Sequence, residues 1–141
     1  MVETSLSSEP LDTAALVARA SDPSCGAVAV FLGTVRETST TTDDALVVAL
    51  EYEAAEDLAA STLEQICERA TERFGLVRAV AIHRVGRCDL GEPTVAIACS
   101  SPHRGQALDG CRFIIEAIKV EVPIFKKEIY TDGSTWVGQG S

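Results

Sequence analysis

Strand-length apolar runs and helix-length amphipathic runs intersperse along the whole chain without strict strand–helix–strand order. That pattern confines its 141 residues to a mixed α+β fold. The longest helical pattern is 54–74 (AAEDLAASTLEQICERATERF). Its Leu58, Leu63, Ile66, Cys67 and Ala70 fall near one face, and Gly75 supplies a C-terminal stop. A second long helix is predicted from Ser101-Pro102, read as N-cap and first helical residue, to the neighbourhood of residue 121. It would turn Ala107, Leu108, Cys111, Ile114, Ile115 and Ile118 toward the core, and Pro123 ends it. A short helix is expected over 11–20, opened by Asp12 or Thr13.

The strand-like runs are 26–35 (GAVAVFLGTV, read as buried), 45–53, 76–85, 93–100, 124–130 and 135–137. Residues 86–91 and 131–134 are read as turns, 36–44 as a polar loop, and 1–10 as a loose arm or a short edge strand. No repeat or linker divides the chain. The expectation is a single domain over 1–141, with a mixed or antiparallel sheet covered by helices.

No apolar run approaches the length of a membrane span, and Met1–Pro10 has no basic or apolar signal region, so a cytoplasmic protein is expected. A net charge of −9 argues against a nucleic-acid binder. The five cysteines include no CxxC pair and only two histidines accompany them, which leaves a metal site unsupported; buried, reduced thiols are expected.

The charge is uneven. Residues 31–60 hold Arg36 against seven acids, whereas 101–130 hold five bases against four acids. All three lysines lie between 119 and 127. Lys119 falls in the last turn of the second long helix, and Lys126 follows the Pro123 break, so the chain reversal can bring both to one pocket. Strand alternation puts Lys126 with Ile124 and Glu128, and Lys127 on the other face with Phe125 and Ile129. These residues are consistent either with a helix-end charge beside a solvated strand or with a desolvated lysine able to act as base.

His103 and Arg104 sit where helix N–H groups attract an anion, or else point into solvent. Arg36 stands where a strand exits into a loop, a common place for a substrate-gripping residue. His83 is read as a structural histidine, and Glu51 and Glu53 as solvated. Dinucleotide, P-loop, HExxH and nucleophile-elbow motifs are absent.

GAVAVFLGTVR at 26–36, LEYE at 50–53, IHRVG at 82–86, SPHR at 101–104 and IKVEVPIFKKE at 118–128 occur in one order and spacing that resembles the catalytic (large) subunit of molybdopterin synthase. The resemblance implies an α/β-hammerhead-type fold, an α+β core with an additional antiparallel subdomain. It also implies a homodimer with a small ubiquitin-like sulfur-carrier subunit at each end, together a heterotetramer. The partner's Gly-Gly C-terminus, activated as a thiocarboxylate, would give sulfur to cyclic pyranopterin monophosphate (precursor Z) in two rounds, forming the molybdopterin dithiolene without a metal or other cofactor.

Lys119 and Lys126 match the family's catalytic lysines, and Arg36, His103 and Arg104 its anion-binding positions. Phe31 and Lys127 lie close to matched positions. The family's pocket draws on both protomers, so His103 and Arg104 would serve the neighbour's Lys119. The chain departs from the family at Phe125, where many members have Trp, and after Trp136, where VGQGS lacks the expected base and leaves little tail to cover the pocket. Two rival readings are a phosphoester-processing enzyme using the same basic cluster and a non-catalytic scaffold for a Gly-Gly tail.

Overall fold

A computed structural model describes residues 1–38 and 45–139. Most of the expected 36–44 loop therefore lies outside the described residues, as do the last two residues of the chain. The described elements run in the order β1 (Val2–Ser7), α1 (Thr13–Ala20), β2 (Ala27–Thr34), β3 (Val47–Ala54), α2 (Glu56–Phe74), β4 (Arg78–Arg84), β5 (Gly86–Asp89), β6 (Pro93–Ser101), α3 (Arg104–Glu121), β7 (Ile124–Tyr130) and β8 (Thr135–Gln139).

They build two four-stranded sheets, ordered β1-β4-β6-β2 and β5-β3-β7-β8. The first is mixed, because β1 runs parallel to β4. The second is antiparallel throughout and corresponds to the additional subdomain that the resemblance implies. The expected α+β class holds, with two sheets rather than one. Residues 2–7 take the edge-strand alternative and not the loose arm.

The centre of the first sheet explains its unbroken apolar sequence, since β4 and β6 are covered on both faces. Ala79 and Ala81 of β4, with Val95, Ile97 and Cys99 of β6, join the main core against α2 and α3. The alternate residues Val80, Ile82, Ala96 and Ala98 pack with Leu16 and Ala20 of α1. Asp12 caps α1, its side chain accepting from the Ala15 N–H at 3.0 Å.

Four details differ from expectation. First, β2 is an edge strand and not a buried one: Val28, Val30 and Leu32 are 37%, 43% and 39% exposed. The cluster beneath α1 takes residues from β4 and β6 and none from β2, so one face of β2 stays open.

Second, Leu58 and Leu108 are exposed. The buried stripe of α2 is Ala59, Leu63, Ile66, Cys67 and Ala70, and that of α3 passes through Ala107 and Cys111, one step away in each case. Third, α3 begins at Arg104. Ser101 still belongs to β6, and its hydroxyl donates to the His103 carbonyl at 2.6 Å instead of capping a helix. Fourth, Gly86–Asp89 forms the strand β5 against β3 where a turn was expected. Gly75 closes α2 at φ 65°, in the left-handed region, as its sequence position predicts.

Candidate active site

A cavity of about 250 Å³ opens where the two sheets and the C-terminal end of α3 converge. Each element brings part of the wall. The end of β2 and its exit give Gly33 and Arg36, β3 gives Tyr52, β6 gives Thr94 and Val95, α3 gives Ile115 and Lys119, and β7 gives Lys126 and Glu128. Gly33 is needed for this approach. A Cβ there would lie 2.8 Å from Val95 Cγ1 and 3.4 Å from Thr94 Oγ1, and the strand register shifts just after it. The Thr94 hydroxyl donates to the Gly33 carbonyl at 3.2 Å and ties β6 to this irregular turn.

The cavity therefore unites Arg36, Lys119 and Lys126, three cations from separate elements. Phe31, close to a matched family position, adds an aromatic wall. Glu128, 2% exposed, places a carboxylate among the cations. Its Oε2 lies 4.0 Å from Lys126 Nζ, and its Oε1 accepts from the Tyr130 hydroxyl at 2.8 Å. Burial draws the Lys126 amine below the usual lysine range; Glu128 opposes this, while the charges of Lys119 and Arg36 add to it. Burial likewise pushes the Tyr52 phenol up to about 12, so it faces the cavity as a neutral hydroxyl.

Lys127 points to the opposite face, as alternation predicts. There it lines a separate groove with Phe125, Glu51 and Glu53. His103 and Arg104 are not brought to the cavity by their own chain. They occupy the far end of α3, and the fifteen residues to Lys119 span about 22 Å of helix. Glu128, Tyr52 and Thr94 were not singled out as site residues from the sequence. Only Glu128 carried a signal there, through its period-two relation to Lys126. Among the described residues, no cluster of three or more His, Cys, Asp or Glu is placed to hold a metal ion, and no helix is long and apolar enough to cross a membrane.

Fold and cavity together define a class: a small two-sheet α+β protein whose cationic hollow suits anionic reactants. Residues 6–121 match the MoaE protein family, and the chain belongs to that family. It is 42% identical over 129 residues to the molybdopterin synthase catalytic subunit of Bacillus subtilis, covering 92% of this chain and 80% of that one. It is 38% identical over 133 residues to molybdopterin synthase catalytic subunit 1 of Mycobacterium tuberculosis, covering 94% and 88%.

Among solved structures, molybdopterin synthase from Staphylococcus aureus superposes with a TM-score of 0.86 at 36% identity over 94% of both chains. A complex of subunits 1 and 2 of the molybdopterin-converting factor from Helicobacter pylori shares the fold, with a TM-score of 0.71 at 23% identity over 93% of this chain and 86% of that one. The family resemblance read from the sequence is thus borne out.

Proposed function

We propose that this chain is the catalytic subunit of a molybdopterin synthase and acts as a sulfurtransferase. It would move sulfur from the thiocarboxylated Gly-Gly C-terminus of a small ubiquitin-like subunit to cyclic pyranopterin monophosphate, twice per dithiolene. One observation carries the reading: Arg36, Lys119 and Lys126, far apart in sequence, meet at one half-enclosed cavity. Substrate phosphate and thiocarboxylate are both anions, and bringing them together opposes Coulomb repulsion. Cations fixed around one cavity offset that repulsion. Arg36 anchors phosphate or pterin, Lys126 orients substrate and tail, and Lys119 serves the reacting carbon as general acid or base, or stabilises its developing charge.

The functional unit in this reading is a homodimer carrying a small subunit at each end. The open edge and apolar face of β2 support it. The Ala27 end of β2 adjoins His103 and Arg104, since the Gly26 N–H donates to the Pro102 carbonyl at 3.2 Å. The Thr34 end adjoins the cavity. Two copies packed antiparallel along β2 would lay His103 and Arg104 of each beside the cavity of the other. The reading places the reaction in the cytoplasm, in keeping with five cysteines that are all free thiols.

Reconstitution with a thiocarboxylated partner and cyclic pyranopterin monophosphate, followed by dithiolene assay, tests the proposal. Lys119→Ala should bind the small subunit normally and lose at least about 100-fold in sulfur transfer. Near-normal product formation would reject the assignment. Partner binding without turnover by the unaltered chain would favour a scaffold, and ester hydrolysis without partner a phosphoesterase.

A further inference from the structure

We infer that the ion pair Arg84–Glu92 is a positioning pair for Arg36: it holds the turn that clamps the backbone at Val35, and so sets where the Arg36 guanidinium meets a substrate anion. The inference rests on the proposed reading for the anion that Arg36 grips. The chain of contacts stands without it.

Arg36 needs such a support. Its side chain is long and exposed, and it follows closely on the register shift between Gly33 and Thr34. A side chain of this kind is aimed only as well as its backbone is held. Both flanks of Arg36 are held. The Val35 N–H donates to the Glu92 carbonyl at 3.1 Å, and the Val35 carbonyl accepts from the Gly91 N–H at 2.9 Å. On the other side, the Glu37 carbonyl accepts from the Val47 N–H at 2.7 Å. Regular pairing of β2 with β6 ends at Thr34 and Pro93, so the turn before Pro93 takes over the grip on the chain one residue ahead of Arg36.

Arg84 holds that turn. It ends β4 and is 4% exposed. Its Nη1 donates to Glu92 Oε2 at 2.9 Å, and its Nη2 to the Arg87 carbonyl at 2.8 Å and to the Ser8 carbonyl at 3.4 Å. One planar guanidinium thus grips both ends of the 87–92 reversal, a geometry that a single ammonium cannot reproduce. Glu92 ties the reversal internally. Its Oε1 accepts from the Asp89 N–H at 3.2 Å, and its own N–H donates to the Asp89 carbonyl at 3.0 Å. Gly91, at φ 79°, supplies the left-handed residue that the reversal requires.

Stability alone is a weak reason for this arrangement. Burying a guanidinium is costly, and an apolar residue of similar volume is often at least as stable in such a place. What the charged fork adds is one fixed geometry. It also spans the seam between the sheets, since Arg84 ends β4 of the first, and Arg87 and Asp89 belong to β5 of the second. The cavity opens along that seam, yet neither Arg84 nor Glu92 lines it. Their influence on an anion there passes through the Val35 backbone to Arg36.

A double-mutant cycle tests this. Arg84→Met keeps much of the volume and strands no buried charge, because the Glu92 side chain is 31% exposed. With saturating thiocarboxylated partner, Arg84→Met should raise the KM for cyclic pyranopterin monophosphate about 10-fold and leave kcat within about twofold. In an Arg36→Ala background the same substitution should add nothing, because the side chain it aims is gone. Glu92→Gln keeps the shape and an acceptor for the Asp89 N–H. It should repeat the pattern to a smaller degree, and it carries the test should Arg84→Met fail to fold.

An unchanged KM in a folded variant, or an equal further loss in the Arg36→Ala background, would overturn the inference. The second result is what a merely structural role produces. Should the unaltered chain be inactive, sulfur transfer is rejected and inorganic phosphate decides the positioning. Titrated into the chain alone and followed by 31P NMR, phosphate should bind about 10-fold more weakly to Arg84→Met, and equally weakly to Arg36→Ala with or without it. Phosphate indifferent to Arg36 or to Arg84 would reject the positioning as well.

Discussion

His83 titrates near pH 6.5 in the unfolded chain and near 4 in the fold, chiefly because burial disfavours the imidazolium. The unfolded state therefore binds a proton that the folded state refuses between those values. The stabilisation is fully present above pH 6.5 and is lost as pH falls through about 4, some ~3 kcal/mol in all. Urea unfolding at pH 7 and pH 4.5 should show His83→Gln losing less stability on acidification than the unaltered chain. Equal acid sensitivity would mean that the ring is solvated and charged in the fold. The same burial logic shows what one residue could reveal in advance. The lysine cluster pointed to the cavity, because three cations confined to nine residues of an acidic chain form a local anomaly. Tyr52 gave no such sign and Glu128 only its period-two relation to Lys126, because their places at the cavity arise only when strands from two sheets face one another.

Elements were legible wherever a period was long and cleanly ended. The span of β7 agrees at both ends, and α2 ends at Gly75 as read. The misses have physical causes. Four residues between two glycines read as a turn until β3 supplies a partner for β5. A continuous apolar run reads as central strand, yet β2 owes its apolar outer face to a surface that α1 leaves open. The start of α3 shifted because Ser101 and Gly26 are held by the strand side of the junction. A Cβ on Gly26 would lie 2.8 Å from the Pro102 carbonyl oxygen, a backbone atom that cannot swing aside. Gly26→Ala should therefore push β2 from the start of α3 and cost roughly 1–3 kcal/mol by overpacking. Thermal unfolding reads this directly, and an unchanged midpoint would show that the junction has slack.

At the scale of the whole molecule, the chain carries a net charge of −9 yet gathers three cations at one cavity, while two more candidate anion-binding residues stand at the far end of α3. No rearrangement of a single chain can join these groups, because α3 is a continuous helix packed along most of its length. In the proposed homodimer, antiparallel packing of two copies along β2 would join them by symmetry, and it makes a prediction that a monomeric site cannot meet. Lys119→Ala and Arg104→Ala should each be inactive alone. In a hybrid dimer, one cavity inherits both substitutions and the other inherits neither, since each cavity takes Lys119 from one chain and Arg104 from its partner. Random reassociation of an equal mixture makes half the dimers hybrid, so roughly one quarter of the normal activity should return. If Lys119 and Arg104 acted within one chain, every cavity in the mixture would keep one lesion and activity would stay at the level of the separate variants. Val30→Lys, which buries a charge in the proposed contact, should abolish the recovery together with the dimer seen by light scattering. A fully active Val30→Lys monomer would remove the partner from the site altogether.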